Sequence, residues 1–344
     1  MGTISVRAFE PADLDAVRDL YTDVWGASRS RAYDAWRYLE PPDGLIPAAC
    51  AYDGEKCVAF YGTWPVKLRI GSTVILGAQS MDTMTHPDYQ RKGLLAKTAF
   101  LAYELATARG FEVLYGFPNE AVYAARINHL NWDHTGDIPL WKRPIRPSGL
   151  GAVPGVLGPV VDGIAALWPK GGAGGFKVAN EKPSAEDLDP LLKQWRAGKR
   201  FCRIERDQAW LDWRYADGSD TDYHWFTARD ERGDLKAALC FGLRREGWGS
   251  LADNRARLTE MLGADEMALS ACLTAAIDHA RGLRASLMDA ATNAPEATRA
   301  LRRAGFITTR GAPFIVRALT ARNLKGNIHN HAAWLIQGGD LDTF

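Results

Sequence analysis

Long apolar runs are missing from this sequence. No uninterrupted span reaches about 18 apolar residues and no N-terminal signal pattern appears, so no membrane partner is expected and the cytoplasm is the expected location. Cysteine is sparse, five in 344 residues, and none is paired at metal-ligand spacing. Cys57, Cys202, Cys240 and Cys272 stand in apolar surroundings and read as reduced core residues. His329 and His331 are two apart with no third ligand nearby, so no metal is expected. An excess of charge is also lacking. The formal net charge of +1 argues against a dedicated nucleic-acid surface. Gly-x-Ser-x-Gly does not occur, which leaves serine-hydrolase chemistry unsupported. Neither the P-loop spacing nor Gly-x-Gly-x-x-Gly is found, which excludes the common nucleotide cradles.

What is present is a foldable composition, 47% hydrophobic and 24% charged, at a length that suggests two domains. Within it, residues 79–95 carry the strongest local signal. Thr73 to Thr85 reads as a strand, His86-Pro87-Asp88-Tyr89 as a turn, and Leu94 to Ala108 as an apolar helix. Between turn and helix lies Gln90-Arg91-Lys92-Gly93. A strand, a basic glycine-containing turn and a helix N-terminus together form an anion site, because the first-turn N–H groups and the helix dipole both favour negative charge. Gly93 permits close backbone approach or positive φ, and Arg91 and Lys92 add charge.

This segment resembles the acyl-CoA-binding motif of the GCN5-related N-acetyltransferases (GNAT), Gln/Arg-x-x-Gly-x-Gly/Ala after the fourth strand. Here it is Gln90-Arg91-Lys92-Gly93-Leu94-Leu95, with Leu in place of the final small residue. The order of elements over residues 3 to 143 is similar to the family's. The resemblance implies an α/β fold, acetyl-CoA as cofactor, and two tandem GNAT-like mixed-sheet domains. The expected division is a catalytic domain at 1–143, a linker at 144–179, and a degenerate second domain with a tail at 180–344. In the linker, the apolar stretch Val156 to Leu167 is expected to be a helix packed between the domains. Ile138 to Arg143 is expected to return as an edge strand.

The second domain rests on an internal repeat. Ala35-Trp36-Arg37-Tyr38 returns as Asp212-Trp213-Arg214-Tyr215, Ala108-Arg109-Gly110-Phe111 as Ala280-Arg281-Gly282-Leu283, and Leu130-Asn131-Trp132 as Ala304-Gly305-Phe306. The offset drifts only from 177 to 172 and back to 174. The anion site is not repeated. Its counterpart, Arg257 to Asp265, keeps a glycine at Gly263 but brings Glu260 and Asp265, which would repel pyrophosphate. The second copy is therefore expected to complete the acceptor pocket or to supply a homodimer contact.

Acyl transfer from a thioester to an amine needs a base for the amine, a donor for the thioester oxygen, and a proton for the leaving thiolate. The resemblance implies that the backbone of Met84 and Thr85 serves the oxygen and that Arg91, Lys92, Gly93, Leu94 and Leu95, with Gln90, meet the pyrophosphate. Relatives often carry a tyrosine acid at the position of Ile127, so Tyr123, one turn earlier, is the substitute; its alternative is helix packing. Asn119 is expected to fix a cofactor amide or to cap the next helix. Asp82 is the first choice of base because strand interiors disfavour Asp; its alternative is a bond to Arg37. Glu120 and the C-terminal carboxylate of Phe344 are the other candidates, and His86 reads as structural. Trp25, Tyr33, Trp36, Tyr61 and Trp64 are expected to wall the acceptor pocket or to pack the first-domain core. The acceptor implied is a small-molecule primary amine, with an acyl-CoA sensor or an aminoacyl-tRNA-dependent transferase as rivals.

Overall fold

A computed structural model describes residues 3–150, 155–172, 174–197, 202–244, 254–320 and 328–343. The first half of the chain runs β1 (Ser5–Ala8), α1 (Leu14–Trp25), α2 (Arg31–Tyr38), β2 (Ala49–Asp53), β3 (Lys56–Ile70), β4 (Thr73–Thr85), α3 (Leu94–Ala108), β5 (Phe111–Gly116), α4 (Glu120–His129) and β6 (Asp133–Pro144). After α5 (Gly158–Ala166) comes β7 (Lys177–Ala179), α6 (Ala185–Arg196), β8 (Cys202–Ile204), α7 (Gln208–Arg214) and β9 (Thr221–Arg229). The order then ends with β10 (Leu235–Arg244), β11 (Arg255–Leu262), α8 (Glu266–Gly282), β12 (Leu287–Ala291), α9 (Pro295–Arg303) and β13 (Ile307–Ala318). Local chemistry starts several of these helices. Ser30, Asn119, Ser184 and Asp207 each accept a backbone N–H from the first turn of the helix that follows.

The strands form one mixed sheet in the order β1-β2-β3-β4-β5-β13-β6-β12-β11-β10-β9-β7, with β8 on β3. β4 and β5 run parallel, as do β11 and β12. Read from its two ends, the order is the same series twice, β1 to β5 and β7 to β12. The last strand of each half has crossed over. β13 pairs with β5 and β6 pairs with β12, and the two exchanged strands pair with each other. The expected edge strand at 138–143 therefore lies inside the sheet. Its burial has the same origin, since Ile138, Trp141 and Arg143 are all buried. One hydrophobic core runs through both halves and includes Trp36, Trp64, Trp213, Trp225, Phe314 and Trp334.

The apolar linker helix differs from expectation. Val156, Val160, Ile164 and Leu167 are exposed, and α5 is held instead by polar bonds, Ser148 to Asp162 and Arg281 to the Ala165 carbonyl. It does not pack between two bodies because the sheet already joins them.

Two irregularities in β4 shape the region that matters. Asp82 and Thr83 together oppose Tyr61 on β3, a bulge in which Asp82 takes φ of +41°. On the other edge, the pairing of β4 with β5 ends at Gln79–Tyr115. Beyond that pair the strands part, leaving a V whose apex is formed by Ser80 and Gly116.

Candidate active site

Beside the V, where β4 runs on, lies a cleft of about 810 Å³. β4 contributes Thr83 and Thr85, the turn contributes Gln90, Arg91 and Gly93, and α3 contributes Leu94 and Leu95. Asn119, Val122, Ala125 and His129 from α4 form the opposite wall, and Trp25, half exposed, stands at the mouth. The N-terminus of α3 points into this space without a side-chain cap. Its first helical bond is donated by Lys97 to the Gly93 carbonyl at 3.2 Å, so the amides of Leu94, Leu95 and Ala96 precede the helical ladder. Gly93 is needed for its φ of +74°, since a Cβ there would meet nothing within 4 Å. Arg91 also takes a left-handed φ, +60°. Such a ring of amides beside an arginine fits a pyrophosphate.

The second half lacks this opening for a specific reason. At the matching helix, Asp265 Oδ1 accepts from the amides of Met267 and Ala268 at 2.8 and 3.1 Å, so the protein's own carboxylate fills the α8 N-terminus. Glu260 does not repel a ligand there. It is turned inward, bound by Arg206 and by the Tyr215 hydroxyl at 2.6 Å.

The cofactor-site residues read from the sequence are mostly gathered here. Lys92 is the exception, because its Nζ donates to the Asp88 carbonyl at 2.8 Å and lies 4.4 Å from the Tyr89 ring centre. Met84 is buried and can reach the cleft only through its backbone. Asn119 caps α4 through Oδ1, accepting from Val122 N at 3.2 Å, while lining the cleft.

The catalytic candidates fare differently. Asp82 is the anion of a buried cluster, with Oδ2 accepting from Arg29 at 3.0 Å, Arg37 at 2.7 Å and the Tyr38 hydroxyl at 2.7 Å. Burial alone would raise its carboxyl, but Arg29 and Arg37 hold it far below the usual range. That leaves a weak base whose Oδ2 is committed to three donors. Tyr123 is not in the cleft, because its ring packs against His134 of β6, 5.7 Å between centroids, while Val122, Ala125 and His129 occupy the cleft face of α4. Glu120 pairs with Arg310 at the surface. His86 accepts from Asp88 N within its turn. Phe344 lies outside the described residues.

Four of the five proposed pocket-wall aromatics, Tyr33, Trp36, Tyr61 and Trp64, are buried core. Trp36 and Trp64 pack on Trp213 where the two halves meet, which removes them from any acceptor surface.

Two groups in this region carry no sequence signal beyond their charge. The C-terminal segment threads back to β4, and Asp342 accepts from Gln79 Nε2 at 2.9 Å and from Arg37 Nη2 at 2.9 Å. Burial, followed by nearby Asp82, raises its carboxyl against the opposing pull of Arg37. Arg126 of α4 enters the apex of the V from the other face, 3% exposed. An acidic pair so near the end of the chain and an arginine inside an amphipathic helix both read as surface charge.

Residues 5–129 match the family model described as an acetyltransferase (GNAT) domain. Over residues 5–129 the chain is similar to GNAT acetyltransferase domains. Solved structures agree on the fold. A yeast (Saccharomyces cerevisiae) N-myristoyltransferase with bound myristoyl-CoA superposes with a TM-score of 0.66 at 13% identity, covering 92% of this chain and 83% of that one. A GCN5-related N-acetyltransferase from Anabaena variabilis gives 0.63 at 10% identity, over 92% and 73%. A probable N-acyltransferase from Enterococcus faecalis gives 0.63 at 10%, over 92% and 73%. No curated protein matches the sequence. The match supports acyl transfer as the class of chemistry, and one structure of the same fold, the yeast enzyme, holds myristoyl-CoA. Among the described residues no cluster could hold a metal ion and no helix is long and apolar enough to cross a membrane.

Proposed function

We propose that this protein is an acyl-CoA-dependent N-acetyltransferase that acetylates a primary amine of a small molecule, an amino sugar or an amino-acid derivative. The observation that carries the reading is the parting of β4 from β5 beside an uncapped α3 N-terminus. Pyrophosphate would lie on the amides of Leu94, Leu95 and Ala96, and the pantetheine arm would follow the V toward Ser80. Residues 1–143 would supply this site, 144–179 would connect, and 180–344 would act as scaffold and deliver the tail.

Asp342 is the proposed base, in place of Asp82. A carboxyl pushed upward by burial is a better proton acceptor than one held down by two arginines. In the proposed step Asp342 takes a proton from the amine, whose nitrogen bonds to the thioester carbonyl carbon. The C–S bond breaks, and CoA leaves as a thiolate that takes its proton from water, since Tyr123 is turned away.

Titration calorimetry of the full chain with acetyl-CoA and CoA, beside Gly93→Glu, tests the reading. Binding at one site per chain that is lost in the variant is expected, followed by thiol release in a DTNB assay with an amine panel. A flat wild-type titration sinks the reading. Binding without turnover on any amine favours an acyl-CoA sensor.

A further inference from the structure

Arg126 is the buried charge that acyl transfer leaves unexplained. Its Nη2 donates to Thr83 Oγ1 at 2.9 Å, the one hydrogen bond it makes among the described residues. Nε is buried with no acceptor. A guanidinium has five N–H donors and normally keeps its charge. Other buried arginines hold more acceptors, although Arg143 Nε likewise has none. Arg37 holds two carboxylates, Arg214 holds the carbonyls of Gly339 and Leu341 and the Tyr223 hydroxyl, and Arg143 holds three carbonyls. Beyond Thr83, Arg126 has the rings of Tyr61 and Trp132, 5.8 and 5.4 Å away, and the through-space pull of Asp342, with no carboxylate bonded to it among the described residues. A buried cation with so few hydrogen-bond acceptors is costly, and an anion arriving with a ligand would offset that cost.

The surroundings say where that anion would sit. A Cβ on Gly116 would lie 2.8 Å from Arg126 Nη1 and 3.7 Å from Ser80 Cβ, so the missing side chain is what admits the guanidinium to the apex. Thr83, its hydrogen-bond partner, lines the cleft. Neighbouring positions on a strand face opposite ways. Gln79 accordingly reaches Asp342 on one face, and Ser80 donates to the Tyr61 hydroxyl on the face of Arg126. The apex thus has a carboxylate on one side and an unsaturated guanidinium on the other. Its Arg126 side is polar, since the hydroxyls of Ser80, Tyr61 and Tyr103 form a chain with steps of 2.8 and 2.9 Å. That lining does not suit a fatty chain.

Resting on the acyl-transfer reading, we propose that Arg126 is a specificity-determining residue that binds a carboxylate carried by the substrate. A planar guanidinium matches a carboxylate in a narrow apex. The carboxylate comes from one of two sources, the far end of a dicarboxylic acyl group or the α-carboxylate of an amino-acid acceptor.

Steady-state turnover of the full chain separates them. The donor arm compares succinyl-CoA and malonyl-CoA with acetyl-CoA on one amine. The acceptor arm compares amino acids with their decarboxylated amines, using acetyl-CoA. In one arm the carboxylated substrate is expected to win by about 100-fold or more in kcat/KM. Arg126→Met should abolish that preference and Arg126→Lys should restore part of it. Equal rates in both arms for the wild type overturn the proposal, and that comparison needs no folded variant. A preference that survives in Arg126→Met overturns it too. In either case acetyl-CoA binding still stands, whereas loss of all acyl-CoA binding ends the underlying reading as well.

Discussion

Trp36 and Trp213 hydrogen-bond each other reciprocally. The Trp36 indole donates to the Trp213 carbonyl at 2.6 Å, and the Trp213 indole donates to the Trp36 carbonyl at 3.1 Å. Their rings stack at 5.3 Å with 24° between planes. The two residues occupy the same place in the repeated Trp-Arg-Tyr motif, so they lie about a local two-fold axis. The relation extends outward. Tyr38 donates to Asp82 at 2.7 Å as Tyr215 donates to Glu260 at 2.6 Å.

Replacing either indole with Phe removes one buried hydrogen bond between the halves; the Trp213 carbonyl keeps the Ala216 amide as a donor. Trp36→Phe and Trp213→Phe should each cost about 1–3 kcal/mol. The double variant should cost less than their sum, because each change also strips the partner's stacking. Urea unfolding of the three variants and the wild type measures this coupling, and strict additivity would contradict it.

Asp82→Asn removes the full negative charge facing Arg29 and Arg37. A loss of about 3–5 kcal/mol is expected. The pH profile should change as well. Because the folded carboxyl is held below its ordinary value of 3.8, its stabilisation is complete above that pH and is lost as pH falls toward the folded value. Thermal melts on the acid side should therefore show a flatter limb in the variant.

Asp340 works in the opposite direction. Burial first, then Glu260, raises its carboxyl to about 6 despite Arg206, from an ordinary 3.8. Between those values the folded state binds the proton more tightly, so this group's contribution to stability grows as pH falls from about 6 toward 4. Denaturant midpoints of wild type and Asp340→Asn at both ends of that window report it, with the variant losing the slope.

Asp342→Asn should reduce kcat by about 100-fold or more while leaving acetyl-CoA affinity intact. In the wild type kcat/KM should fall as pH drops through the raised carboxyl value, and the variant should lose that limb. Full activity in Asp342→Asn would remove it from the mechanism.

Asp265→Ala should cost about 0.5–2 kcal/mol by uncapping α8. No second acetyl-CoA site should open, because the second half also lacks the basic turn. Calorimetric stoichiometry should stay at one.

Much of the fold was legible in local chemistry and in the spacing of the repeat. Caps, turns and helix periodicity are properties of neighbouring residues. Strand exchange was not legible, because β6 would have the same alternation against either half. The turn before α3 was readable for a similar local reason, since residues 90–95 build the anion site almost by themselves. Tyr123 was misjudged because periodicity defines a helix face without saying what lies opposite it. Asp342 and Arg126 depend on contacts with β4 from 263 and 43 residues away in sequence, and nothing near either residue marks them. Among the aromatics, the repeat correctly tied Trp36 to Trp213, yet composition could not tell an interface between halves from a pocket wall.

The crossing of β6 and β13 has a consequence for biosynthesis. While the ribosome is still making the second half, β5 presents a bare hydrogen-bonding edge that Ile315 to Ala318 of β13 later cover. The carboxylate proposed to start the reaction arrives still later, at residue 342. A chain released before residue 307 would lack both the covering strand and the base, so catalytic competence would also report that translation had passed Asp342.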